Sequence, residues 1–164
     1  MRRSRGFTLI ELVVTLALVG LVAMVALPLA EVASTRSKEA ELRHALRAVR
    51  TALDAYKAAS DAGKIARDAG QSGYPPSLEK LVEGVELVQA PAVTASGVGP
   101  HRLVFLRKVP RDPFFEGDTV PDAQTWALRS YDSPADDPQP GADVFDIRST
   151  SARKAMDGTS YDTW

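Results

Sequence analysis

Apolar side chains crowd the start of the chain, while Pro and Gly collect after residue 70. Phe7 to Ala30 covers 24 positions, and the only ionisable side chain among them is Glu11. As a helix this run spans about 36 Å, enough to cross a bilayer core of about 30 Å. Pro28 removes one helical hydrogen bond near its end. That predicts a kink or a melted stretch in the turn before it, assisted by the weak helix former Gly20, or else a mark for the membrane exit. Beyond Pro28 the helical pattern resumes with Leu42, Leu46, Val49, Leu53 and Tyr56, at steps of 4, 3, 4 and 3. Glu41, Arg43, Arg47, Arg50, Asp54 and Lys57 fall between them. This spacing predicts an amphipathic helix that packs through one stripe and has too few heptads to make a coiled coil.

The pattern fades from Gly63 to Gly73, where a loop is expected. Ser77 then offers an N-cap for a short helix through Leu78 and Leu81, with Gly84 placed to end it. Leu103 to Leu106 form a short apolar run. Val109-Pro110-Arg111-Asp112-Pro113-Phe114 reads as a rigid turn, its backbone fixed by proline, with Asp112 accepting local backbone hydrogen bonds. Trp126 to Tyr131 and Val144 to Ser149 read as two strands joined by a Pro/Asp/Gly loop. In the second strand Val144, Asp146 and Arg148 form one side, and Phe145 and Ile147 an apolar other. The fold class expected is therefore α+β, a long N-terminal helix packed on a small antiparallel sheet.

Met1-Arg2-Arg3-Ser4-Arg5-Gly6 stands before the apolar run, and three arginines there hold the N-terminus in the cytoplasm by the positive-inside rule. An ordinary secretory signal shares the basic start, but its apolar region is usually about 7 to 15 residues and ends in a cleavage site. Here the run is longer, and a polar helical sequence continues it without a linker. A carboxylate inside a membrane costs on the order of 2.5 to 3.5 kcal/mol at the centre and less near the interface, so Glu11 calls for a partner.

Gly6-Phe7-Thr8-Leu9-Ile10-Glu11 resembles the processing motif of type IV pilins and type II secretion pseudopilins. The resemblance implies a pilin fold and cleavage between Gly6 and Phe7 by a prepilin peptidase, with methylation of the new Phe7 amine. It divides the chain into a leader (1–6), a transmembrane and polymerisation helix (7–30) and a periplasmic head (31–164). It also supplies the partner for Glu11, the Phe7 amine of a neighbouring subunit, because a buried charge that is costly alone becomes tolerable when paired. The Tyr74-Pro75 turn with its short Leu-containing helix, and the Pro110 to Phe114 turn, resemble the major pseudopilins of type II secretion. What this implies is an inner-membrane subunit that self-assembles into a periplasmic pseudopilus with minor pseudopilins, on an assembly platform driven by a cytoplasmic ATPase. A surface pilus for adhesion, motility or DNA uptake is the alternative. Many pilus subunits close a C-terminal loop with a disulfide, and this chain has no Cys.

Composition narrows the remaining functions. A formal charge of -1, from 20 basic and 21 acidic residues, provides no field for holding nucleic acid, and none is expected as a partner. The chain has no phosphate loop, no metal-spaced His cluster and no nucleophile elbow. His44 and His101 are isolated, so a tethered periplasmic enzyme or binding domain has little support and no catalytic residue is assigned. No cofactor is expected. In place of the acidic, Gly-rich calcium loop of major pseudopilins the tail carries Arg153 and Lys154, which leaves Asp157 and Asp162 as the only calcium candidates.

Overall fold

The computed structural model describes residues 6–88 and 102–164. The leader residues Met1 to Arg5 and His101 lie outside the described residues. The chain divides into two compact units between Lys38 and Glu39, and helix α1 (Leu9–Asp61) supplies residues to both.

In the first unit every apolar side chain from Phe7 to Val32 is exposed, with Phe7 at 80% and Leu9 at 82%. A helix that is hydrophobic all round and buries nothing against its own chain needs an apolar surrounding. Leu9–Asp61 is accordingly long and apolar enough to cross a membrane.

The second unit holds the core. The remainder of α1 turns Leu42, Leu46, Val49, Leu53 and Tyr56 inward, as the spacing predicts, together with Ala45, Ala52 and Ala59. α1 ends on Gly63 at φ 66°. Lys64 N–H donates to Ala59 O and Gly63 N–H to Ser60 O, both at 3.0 Å. These two bonds form a Schellman motif, which satisfies carbonyls that the helix end would leave open. Ile65 then enters the core.

Helix α2 (Glu79–Glu83) follows, and Gly84 ends it as expected. Its N-cap position is Leu78 rather than Ser77, and no side chain caps it. Leu78 is 1% exposed, so burying this residue fixes where the helix starts and overrides the better capping chemistry one residue earlier. Strand β1 (Val85–Glu86) pairs antiparallel with β2 (Arg102–Leu103). Gly84 lies against β2 at φ 74°, where a Cβ would come within 2.9 Å of Leu103 O.

β3 (Trp126–Arg129) and β4 (Asp146–Ser149) form the second antiparallel pair, with Trp126 opposite Ser149 and Arg129 opposite Asp146. The expected antiparallel pairing of these two segments is present, and among the described residues β1 and β2 add a second, separate two-stranded sheet. Both long strands are also shorter than the pattern suggested. Ser130 N–H donates to Gln139 O, and Val144 N–H donates to Pro75 O at 2.8 Å. Loop carbonyls therefore take backbone groups that a longer ladder would have used. Val144 lies outside β4 and is buried, which removes it from the polar side expected of that strand.

The Pro110 to Phe114 turn is rigid for the expected reason. Phe114 N–H donates to Asp112 Oδ1 at 2.8 Å, and Ser149 Oγ donates to Asp112 Oδ2 at 2.6 Å. Trp126 Nε1 donates to Pro110 O. The turn is thereby tied to β3 and β4, and Asp112, 1% exposed, is a structural anchor. The architecture is α+β, a long N-terminal helix with small antiparallel sheets.

Candidate assembly site

Gly6 and Phe7 precede α1 and are exposed. Thr8 occupies the N-cap position. Glu11 N–H donates to Thr8 Oγ1 at 3.3 Å, and Thr8 N–H donates to Glu11 Oε2 at 3.5 Å. This reciprocal pair is a capping box, in which two orphan backbone donors of the first turn are satisfied by side chains. The Thr-x-x-Glu spacing that encodes it is present in the sequence, although the motif alone singles out Glu11 and not Thr8. The box places the Glu11 carboxylate at the positive end of the helix dipole, a setting worth about 0.3 to 1 kcal/mol to an anion. Leu9, Ile10 and Leu12 around it are exposed. What the site presents is one oriented carboxylate in an apolar surface, beside the peptide bond between Gly6 and Phe7.

Pro28 lies inside α1, which is helical on both sides of it. In the single chain the stretch before Pro28 is helical. The missing N–H deprives the Met24 carbonyl of one partner, and intact ladder bonds before and after hold the helix.

In the second unit Asp157 serves other partners. Asp157 Oδ1 accepts from Thr159 N–H at 3.0 Å and Thr159 Oγ1 at 2.6 Å, while Arg43 reaches Oδ2 at 3.5 Å. The Thr159 hydroxyl and N–H, and then Arg43, hold the Asp157 carboxyl below its usual range. Asp162 lies on the 3-10 turn Tyr161–Thr163. Among the described residues no group of three or more His, Cys, Asp or Glu side chains could hold a metal ion. The structure therefore does not bring Asp157 and Asp162 into one ligand set.

A buried contact of the tail with α1 runs through Glu39, which the sequence pattern does not single out. Its carboxylate is buried and accepts from Met156 N–H at 2.8 Å and from Tyr161 Oη at 2.9 Å. The available signal was its position, three residues before Leu42 on the apolar stripe. Burial, and then the hydrogen bond to Glu39, push the Tyr161 hydroxyl up to about 12. The Tyr161 ring stacks on Phe114 with centroids 4.0 Å apart, and Trp164 meets Tyr161 edge-on. Arg43 lies over the Trp164 ring at 4.3 Å. The sequence left open whether these two aromatics pack the tail on the head or face another subunit, and the structure packs them on the head.

Residues 1–27 match the prokaryotic N-terminal methylation motif, the signal of type IV pilins and pseudopilins, which does not separate the two. No curated protein and no solved structure matches the chain.

Proposed function

We propose that this chain is the structural subunit of a helical filament, built through the segment from Phe7 to Ala30 after a prepilin peptidase has removed Met1 to Gly6 and methylated Phe7. The observation that carries this reading is an apolar helix, exposed on all sides, whose single carboxylate is held in the first turn directly behind the cleavage motif. Before assembly the helix sits in the inner membrane, with the N-terminus cytoplasmic and the head periplasmic. On assembly, Glu11 of one copy pairs with the Phe7 amine of another, which removes the cost of an unpaired acid in apolar surroundings. The protein acts by polymerising and is not an enzyme.

The finer reading is a type II secretion pseudopilus. The Tyr74-Pro75 turn, the Asp112-anchored turn and a tail held without a disulfide support it over a surface pilus. Minor pseudopilins, an inner-membrane platform and a cytoplasmic ATPase are the partners this reading brings.

The mass of the protein from membranes of wild-type cells, and of cells lacking prepilin peptidase, tests the class. Loss of Met1 to Gly6 with an added methyl on Phe7, both dependent on that enzyme, is the expected result. The same intact N-terminus in both strains overturns it. Deletion of the gene then separates the branches. Exoproteins stranded in the periplasm indicate the pseudopilus, and loss of long surface fibres with normal secretion indicates the pilus.

A further inference from the structure

Three of the chain's four tyrosines, Tyr56, Tyr74 and Tyr131, line one groove of about 850 Å³ in the second unit. That volume falls within the range of small-molecule sites, about 300 to 1,000 Å³. The fourth, Tyr161, engages its hydroxyl with Glu39. Tyr56 is the informative one. It is 8% exposed, and its hydroxyl has no hydrogen-bond partner among the described residues, yet it is not one of the unpartnered atoms sealed away from solvent. The oxygen therefore opens on the groove. Burial pushes this hydroxyl up, and the charge of Lys80, on the same groove, draws it back. Buried side chains seldom leave a polar tip unmatched, so the groove calls for a guest that can hydrogen-bond.

The wall around Tyr131 is built before any guest arrives. Tyr74 stacks on Tyr131 with centroids 5.9 Å apart, and Phe145 meets the two edge-on at 5.1 and 5.7 Å. Asp143 fastens the backbone beneath, accepting from Ser72 Oγ, from Ser130 Oγ at 2.7 Å and from Tyr131 N–H at 2.9 Å. Tyr131 nevertheless remains 54% exposed. Water can serve a hydroxyl, but it gains nothing from an aromatic face. Charge narrows the guest further, because Arg67, Lys80 and Arg102 on the groove are matched by Glu86, Asp132 and Asp143. Neither an anion nor a cation is favoured, while Glu86 and Asp132 stay exposed as acceptors. An extended peptide would look for free backbone partners. Here Tyr131 N–H is held by Asp143, Ser130 N–H by Gln139 O and Gly84 N–H by Lys80 O.

We propose that this groove binds a neutral saccharide, with a sugar ring laid against Tyr131 and sugar hydroxyls meeting Tyr56 Oη and the carboxylates of Glu86 and Asp132. A pyranose has the matching character, since its C–H face is apolar and its rim carries uncharged groups that both donate and accept. A carboxylate accepting from a hydroxyl makes a charge-assisted bond, about twice as strong as a neutral one. Groups already fixed by Asp143 and the aromatic stack lose little freedom on binding. A free sugar and a stretch of polysaccharide share this chemistry. The proposal concerns the head alone and does not depend on how the chain assembles.

The test is NMR of the tyrosine ring signals of the full chain, in a detergent without a sugar headgroup. Cellobiose and diacetylchitobiose, the tetrasaccharide of each, and a blocked Ala-Gly-Ala peptide are titrated separately. A saturable shift of the Tyr74 and Tyr131 rings, with a midpoint on the order of 1 mM, is expected with at least one saccharide. Tyr56→Phe, which deletes only the hydroxyl, should weaken binding about fivefold while leaving the backbone amide spectrum unchanged. Tyr131→Ala, at an exposed position and followed on Tyr74, should weaken it about tenfold. Tighter binding of a tetrasaccharide than of its disaccharide assigns a polysaccharide source, and equal binding assigns a free sugar. No saturable shift with any saccharide, or one that survives Tyr56→Phe undiminished, overturns the proposal. Tighter binding of the peptide overturns it as well and gives the groove to a polypeptide.

Discussion

Tyr161→Phe deletes one hydroxyl and leaves the ring in its stack on Phe114. The variant therefore isolates one of the bonds by which α1 holds the tail. In the wild type Tyr161 Oη donates to Glu39 at 2.9 Å, and Met156 N–H donates to the same oxygen. The variant keeps only the second donor on a buried carboxylate, and a hydrogen bond to a charged group is worth about 1.5 to 3 kcal/mol. A loss of about 2 kcal/mol, some 30-fold in the unfolding constant, is expected at neutral pH. The tyrosine's ionisation gives an independent measure. Its folded pKa is raised from 10.0 to about 12, so between these values the unfolded chain gives up its proton first. The stabilisation is therefore complete below pH 10 and disappears as pH rises towards 12. Burial is the larger cause of that shift and the bond to Glu39 the second, so the gap of two units, on the order of 2 to 3 kcal/mol, is an upper bound on the share of the bond. The phenylalanine of the variant has no proton to lose, so the two proteins should converge in alkali. Tyr56 and Tyr74, also raised by burial, occur in both and cancel in the difference. Urea unfolding of the full chain in detergent, followed by near-ultraviolet circular dichroism, measures that difference at each pH. A gap that stays constant from neutral pH to strong alkali would show that water replaces the bond and refute the reasoning.

Glu11→Ala removes one arm of the capping box, at a cost of about 1 kcal/mol to the first turn. In the proposed filament it also removes the pairing charge, so membrane-anchored subunit should accumulate while sheared filaments disappear; filaments at wild-type yield would exclude that role. Gly84→Ala places a Cβ at φ 74° against Leu103 O and the Val104 side chain, whereas at Gly63 nothing lies within 4 Å. Gly84→Ala should thus cost about 2 to 3 kcal/mol against about 1 for Gly63→Ala, and the reverse order in thermal unfolding would overturn the packing explanation. Since Thr159 and Arg43 already engage Asp157, calcium and chelator should give equal urea midpoints. A rise with calcium would restore Asp157 and Asp162 as ligands.

The helical half of this architecture is readable from the sequence because period and burial agree there. Leu42 to Tyr56 repeat as a stripe and are buried as a stripe, while Phe7 to Ala30 show no polar face and bury none. The turn at Asp112 is readable because its geometry is local, a carboxylate accepting from the amide two residues on. What escapes the sequence depends on distant partners. Glu39 looks like one more helical charge until a tail 122 residues away donates a hydroxyl to it. The ends of β3 and β4 depend on the carbonyls of Gln139 and Pro75, which no alternation of side chains reports. Ser77 has the better capping side chain and still lost to Leu78, because burial of one leucine outweighs a cap worth about 1 kcal/mol.

The capping box also bears on how the proposed filament selects its register. Within the apolar run only Glu11 carries charge, so the apolar surface alone would tolerate sliding of one helix past another. The Thr8 N–H meets the carboxylate at a long 3.5 Å, a bond weak enough to yield to a cationic amine. The unassembled subunit thus has a carboxylate that is oriented but incompletely satisfied. A slip by one helical turn, about 5.4 Å, would leave that carboxylate and the neighbouring amine unpaired in an apolar medium. One polar contact then distinguishes the aligned stack from its displaced alternatives, and the box keeps the carboxylate positioned for it until a neighbour arrives.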